Sequence, residues 1–324
     1  MATPLAALLL VAGIALLALG ADVLIRGAVT IAHVARVSAA IIGLTIVSMG
    51  TSLPELTVSV SAALKGSSDL ALGNAIGSNL FNIGVVLGLA AVIQPMRVHG
   101  SAVKLEWPFM FLASFQLLLL ARDGILDRLE GGFFITGLLL FTWYVVVLGH
   151  EAVRGEEAAD LAEEVKRRAP RASLRTIGGA LAFVAAGVLL LVAGGDLLVR
   201  GATGLARAMG MTERMIALTV VSMGTGAPEA FTSIVAARRG QSEIALGNVI
   251  GSNIFNVLGI LGVTALLRPL TVSPAMLSSD LWWMLGLSFV LFPMMRSRSV
   301  ITRREGALLV AVYGAYLGLA AFVG

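Results

Sequence analysis

Ten predominantly apolar stretches run along the chain, roughly at 4–30, 39–64, 69–95, 103–121, 131–149, 174–204, 213–238, 243–268, 275–295 and 303–323, each about the 20 residues that a helix needs to cross a bilayer. Between the fifth and sixth lies the long polar stretch "EAVRGEEAADLAEEVKRRAPRASLR". The first run has no basic segment before it and no cleavage site, so it is expected to be a retained span. Two runs are interrupted in the same way. "IIGLTIVSMGTSLPELTVSVSAAL" carries Pro54 and Glu55 at its middle, and "IALTVVSMGTGAPEAFTSIVAA" carries Pro228 and Glu229. A proline lacks the N–H that helix continuation requires and frees a carbonyl one turn back. In hydrocarbon such a carbonyl must face protein or a cavity.

Composition agrees with the pattern. The chain is 58% hydrophobic and 13% charged, whereas a soluble domain carries about 25% charged residues. The reading is an all-α integral membrane protein. Without cysteine it can hold no disulfide and no thiolate metal site, and three scattered histidines give no zinc spacing. The net charge of +4 comes from loop arginines, which point to membrane orientation rather than to a nucleic-acid partner. With ten spans, most of the 23 Lys and Arg fall on the side of the central loop, among them Arg26, Arg36, Arg97, Lys104, Arg238, Arg239 and Arg296. Basic loops stay in the cytoplasm, so both termini are expected outside and the central loop inside, in a plasma (inner) membrane.

The two halves repeat each other. A constant offset of 174 carries Asp22 to Asp196, Arg26 to Arg200, Glu55 to Glu229, Asn82 to Asn256 and Pro95 to Pro269. Nearly half of the positions from Gly20 to Val98 are identical to their counterparts. Five spans per half is an odd number, so the second copy enters from the opposite face. The expected organisation is a five-helix repeat over 1–150, a cytoplasmic linker at 151–173 and a second, inverted repeat over 174–324. Inverted repeats with discontinuous helices at the midplane are a mark of secondary transporters.

The chemistry at the breaks is oxygen only. A carboxylate at bilayer depth usually marks an ion or substrate path. Thr51 and Glu55 are four apart and are expected to share a helical face, as are Thr225 and Glu229. The following spans, "ALGNAIGSNLFN" and "ALGNVIGSNIFN", place Asn74, Ser78 and Asn82 on one stripe and Asn248, Ser252 and Asn256 on the other, with Asn79 and Asn253 off it. The glycines of these spans, Gly73, Gly77, Gly247 and Gly251, are expected to serve close helix packing. Hard cations such as Ca²⁺ take 6–8 oxygens of mixed type. Two glutamates neutralise one Ca²⁺. Emptied of it they repel, so the site should then accept protons or monovalent cations, which is the physical basis of exchange. A cation channel is the competing class, since glutamate rings also make selectivity filters. A hydrolase built on Ser52 with Glu55 as base is a third, disfavoured because no histidine lies within a span near the repeated motifs.

These residues resemble the cation/calcium exchanger superfamily, above all the prokaryotic type of its sodium/calcium exchanger branch. The resemblance rests on "GTSLPEL" with "GNAIGSNLFN", on "GTGAPEA" with "GNVIGSNIFN", and on the ten-span layout. It implies antiport of Ca²⁺ against Na⁺, not enzymatic catalysis, with those ions and the bilayer as partners and with no cofactor or obligate protein partner. The ion site it implies uses Thr51, Ser52, Glu55, Ser78 and Asn82 from the first half. The second half would add Thr225, Glu229, Ser252 and Asn256, with the backbone carbonyls of Ser48 and Ser222. It further implies alternating access, the first and sixth helices sliding across a fixed core of spans two, three, seven and eight. "ADVLIRGA" and "GDLLVRGA" fall near the ends of those sliding helices, where Asp22 with Arg26 and Asp196 with Arg200 are expected to form structural ion pairs. Two departures bear on ion choice: Gly226 stands where the first half has Ser52, and Asn256 stands where some members carry Asp. The alternative coupling ion is H⁺, and another divalent cation could replace Ca²⁺. The Ser-Leu-Pro-Glu form favours sodium.

Overall fold

In a computed structural model, residues 3–35, 37–152, 174–211 and 222–323 are described. Arg36, most of the expected linker (153–173) and the start of the expected seventh span (212–221) lie outside them. The protein is helical, with four two-residue strands as its only other regular elements among the described residues. Among the described residues, seven helices are long and apolar enough to cross a membrane, or eight if one bent pair counts as a single span.

The first half opens with the long helix α1 (Thr3–Ala35). The bent pair follows, α2 (Ala39–Thr51) and α3 (Leu53–Leu64), meeting at 47°. Next come α4 (Ser68–Ile93) and α5 (Ala102–Asp123), then α6 (Arg128–Ala152). The second half begins with α7 (Leu174–Ala208). A short α8 (Ser222–Thr225) and α9 (Ala227–Arg238) follow. The half closes with α10 (Ser242–Leu267), α11 (Met276–Arg298) and α12 (Arg303–Val323).

Both breaks have one cause. α2 stops at Thr51, Ser52 sits at φ −85°, ψ 10°, and Pro54 falls in the first turn of α3. In the second half Gly226 sits at φ −81°, ψ 2°, with Pro228 in the first turn of α9. Proline suits a first turn because the N–H it lacks would be unpaired there anyway. The break corrects one expectation. Thr51 and Glu55 do not share a continuous helical face; they belong to successive segments on either side of a bend.

The centre of the molecule is α10, with 89% of its most apolar stretch buried inside the protein, against 22% for α6 and α7. The outer helices leave large apolar side chains such as Leu8, Leu129, Trp143 and Leu189 uncovered, as a hydrocarbon solvent permits. α2 lies close on α10: a Cβ at Gly247 would stand 2.8 Å from the Ala40 carbonyl oxygen, and one at Gly251 would stand 2.5 Å from that of Leu44. Those two glycines thus have the packing role expected of them, whereas Gly73 and Gly77 do not: a Cβ at Gly73 would meet only Met276 Cε at 3.6 Å, and one at Gly77 nothing within 4 Å.

α1 and α7 run antiparallel in backbone contact. Gly13, Gly20 and Gly27 recur every seven residues, as do Gly187, Gly194 and Gly201. A Cβ at Gly20 would stand 2.9 Å from the Leu191 nitrogen, and one at Gly194 would stand 2.8 Å from that of Leu17. Glycine at such a seam lets two backbones approach as no other residue does. Short antiparallel strand pairs tie the halves at their rims: β1 (Met96–Arg97) with β4 (Val300–Ile301), and β2 (Ile125–Leu126) with β3 (Leu270–Thr271).

Candidate cation-binding site

The two bends meet across the molecule. Ser52, at the first bend, donates its hydroxyl to Glu229 Oε1 at 2.9 Å and lies 3.2 Å from Ser252 Oγ on α10. Glu55 follows Ser52 in the first turn of α3, as Glu229 follows Gly226 in the first turn of α9. Thr51 donates to the carbonyls of Val47 and Ser48 within α2, and its Oγ1 lies 3.2 Å from Asn248 Oδ1 on α10. Ser48 donates to the Leu44 carbonyl at 2.7 Å. Ser48, Thr51, Ser52, Glu55, Glu229 and Ser252 are all buried, as are Asn82 and Asn256. Ser78 is half-buried on α4, one turn before Asn82, and Thr225 is half-buried at the end of α8. Ser222 opens α8; its side chain lies outside the described atoms.

Amide side chains hold this cluster by paired contacts. Asn74 Nδ2 donates to the Glu55 carbonyl at 3.0 Å and to Ser59 Oγ at 2.9 Å. Asn248 Nδ2 does the same for the Glu229 carbonyl at 3.5 Å and Ser233 Oγ at 3.0 Å. These two asparagines lock each glutamate's segment to the next helix. Asn82 Nδ2 donates to Asn253 Oδ1 at 3.2 Å, and Asn256 Nδ2 to Asn79 Oδ1 at 3.0 Å. Each contact between halves is the other with its halves exchanged.

Asn79 and Asn253, off the stripe in the sequence, are therefore the bridges between α4 and α10. Each is also steered by a thioether: Asn79 Nδ2 lies 3.5 Å from Met284 Sδ, and Asn253 Nδ2 lies 3.6 Å from Met110 Sδ. Met110 and Met284 stand at the repeat offset too, beyond the stretch where the two copies align residue by residue, and that spacing was the only signal for them.

Among the described residues seven buried side-chain oxygens have no hydrogen-bond partner, and four of them belong to the candidate ligands: both carboxylate oxygens of Glu55, Oε2 of Glu229 and Oδ1 of Asn256. Buried oxygens left unpaired are costly. Carboxylate and amide oxygens left free in this way, with the Ser52 hydroxyl on Glu229 and no nitrogen or sulfur acceptor among them, are the donor types that a hard cation takes. Asn256 spends its N–H on Asn79 and keeps a neutral carbonyl oxygen free.

Broken membrane helices around a buried, oxygen-rich pair of carboxylates define a membrane cation transporter. Residues 5–148 and 179–322 match the family described as Sodium/calcium exchanger protein. The chain belongs to that family, as a prokaryotic-type cation/calcium exchanger. It is 31% identical over 340 residues to "Sodium/calcium exchanger MaX1" of Methanosarcina acetivorans, covering 96% of this chain and 97% of that one. It is 36% identical over 288 residues to "Inner membrane protein YrbG" of Escherichia coli, covering 88% and 87%. The solved structure of the sodium-calcium exchanger NCX_Mj soaked with 10 mM Na⁺ and zero Ca²⁺ superposes with a TM-score of 0.84 at 28% identity, over 98% of this chain and 99% of that one. The chain is thus a multi-pass membrane antiporter of the cation/calcium class.

Proposed function

We propose that this protein exchanges Ca²⁺ for Na⁺ at a single site where the two bends meet, by alternating access. One observation carries the reading: Ser52 of one bend bonds Glu229 of the other, beside a Glu55 whose carboxylate has no partner. Glu55 and Glu229 are the charged ligands. Thr51, Ser52, Ser78, Thr225, Ser252, Asn82 and Asn256 supply neutral oxygens, with the carbonyls of Ser48 and Ser222. Ca²⁺ neutralises both carboxylates, and when it leaves, Na⁺ replaces it. The similarity to MaX1 and NCX_Mj, both named as sodium/calcium exchangers, supports sodium as the coupling ion.

The architecture that goes with this is ten transmembrane helices in two inverted five-helix repeats, 1–150 and 174–324, joined by a linker. The half-exchanged asparagine contacts support that pseudo-symmetry. Termini outside and linker in the cytoplasm of an inner membrane follow from the arginine distribution. α1 and α7, joined along their glycine seam, move as one body against α2, α4 and α10. Exchange of three Na⁺ for one Ca²⁺ moves one net charge, and the membrane potential then contributes about 2.3 kcal/mol per 100 mV.

The test is ⁴⁵Ca²⁺ uptake into sodium-loaded proteoliposomes. Uptake that requires internal sodium and grows with an inside-positive potential is the expected result. Uptake that ignores sodium and follows a pH gradient would assign the chain to Ca²⁺/H⁺ exchange instead, the second reading kept open by Gly226 and Asn256.

A further inference from the structure

The two halves differ at one point of the site, and a pair of glycines accounts for it. Phe81 precedes Asn82, and Phe255 precedes Asn256, at equivalent positions. Their rings nevertheless take different seats. A Cβ on Gly226 would stand 2.6 and 2.7 Å from Cε1 and Cδ1 of Phe81, so that ring lies across the second bend. A Cβ on Gly259 would stand 2.6 and 2.7 Å from Cδ2 and Cε2 of Phe255, so that ring folds back on its own helix. Neither distance leaves room for a side chain. The counterpart of Gly259 is Val85, and the counterpart of Gly226 is Ser52. Both seats are thus glycines of the second half, Phe81 reaching one across the molecule and Phe255 using one on its own helix. Val85 denies Phe81 the seat that Phe255 uses, and Ser52 denies Phe255 the seat that Phe81 uses.

The consequence falls on the carboxylates. With Phe255 folded away, Ser52 is free to donate to Glu229. Exchanging the halves, a hydroxyl at 226 would serve Glu55, but Gly226 has none and Phe81 fills its place. Glu55 accordingly keeps both oxygens unpartnered. Three Na⁺ must divide among them the oxygens that one Ca²⁺ gathers around itself. Each sodium has fewer ligands to spare, so losing one neutral oxygen beside Glu55 weakens Na⁺ more than Ca²⁺.

We propose that Gly226, with the Phe81 ring it seats, is a specificity-determining position of the exchanger, withholding one ligand oxygen on the Glu55 side and so weakening the competition of Na⁺ with Ca²⁺. The inference rests on the exchange reading above. It is tested by Na⁺ inhibition of ⁴⁵Ca²⁺ uptake in proteoliposomes, comparing wild type with G226S, V85G, G226S/V85G and S52G. In G226S/V85G the ring gains a glycine seat on its own helix and the second hydroxyl is restored. The half-inhibiting Na⁺ concentration should fall about tenfold, as one hydroxyl on a charged partner implies, with a steeper dose curve and little change in half-saturating Ca²⁺.

G226S alone leaves the ring without a seat and should lower transport or the melting temperature, which V85G then restores. S52G should raise the half-inhibiting Na⁺ by a similar factor. A monodisperse G226S/V85G with wild-type Na⁺ competition overturns the proposal. Should that variant not fold, an S52G protein with unchanged Na⁺ competition overturns it as well. Wild-type vesicles without gradient-driven Ca²⁺ uptake would instead overturn the exchange reading itself, and uptake by wild type alongside unchanged variants would leave that reading standing.

Discussion

Each carboxylate of the pair has a different setting, so conservative replacements should separate their roles. Glu55→Gln and Glu229→Gln each remove half the negative charge that a divalent cation requires, and both should abolish ⁴⁵Ca²⁺ uptake while the proteins remain monodisperse in detergent. Near-normal flux in either would remove that residue from the site. Asn256→Asp is a gain rather than a loss. It puts a third acid where a free, neutral Oδ1 now lies, so Ca²⁺ uptake in that variant should become more sensitive to acid than in wild type. A pH profile identical to wild type would show that the residue does not touch the cargo. These side chains were legible in the sequence because both copies retain them at one offset inside otherwise apolar runs. Asn79 and Asn253 were not. Their partners lie in the opposite half, and no periodicity within one helix can reveal a contact made with another.

At the scale of helices, the prolines announced the breaks but not their form. Pattern reasoning put Thr51 and Glu55 on one face, whereas the chain bends between them at Ser52. That bend is what turns the Ser52 hydroxyl toward the other half. The α1–α7 seam went unread for a different reason: a glycine every seven residues in an apolar run carries no polar signal, and its meaning appears only once the second helix is alongside. Its energetic weight can be measured. Gly194→Ala sets a methyl group 2.8 Å from the Leu17 nitrogen and should cost about 1–3 kcal/mol, as overpacking does, seen as a lower melting temperature in detergent. Gly314→Ala on α12, where a Cβ meets nothing within 4 Å, is the control and should not lower it. Equal melting temperatures for the two variants would mean that the seam can open without cost.

At the scale of the molecule, the repeat is plain in the sequence but the halves are not independent bodies. The seam joins α1 of one half to α7 of the other, α2 lies on α10, and the strand pairs at the rims each take one strand from either half. On the side of Asp22, which pairs with Arg26 at 2.8 Å, the charge of Arg239 at the end of α9 is drawn in as well, so an ion pair also crosses between halves. Asp196 and Arg200 pair within α7 at 2.9 Å. The unpaired oxygens of the site come from both halves, Glu55 from the first and Glu229 and Asn256 from the second. A half alone would expose the glycine seam and one buried carboxylate to lipid, and each such charge costs at least about 3 kcal/mol at mid-bilayer. Segments 1–150 and 174–324 produced separately should therefore be degraded or aggregate. Produced together as two chains, they should assemble, co-purify through a tag on one of them, and restore sodium-driven Ca²⁺ uptake, because every residue proposed for the site lies in one segment or the other. Stable, monodisperse single halves would mean that each buries its own carboxylate, which the crossing contacts of Ser52 with Glu229 and of Asn82 with Asn253 do not allow.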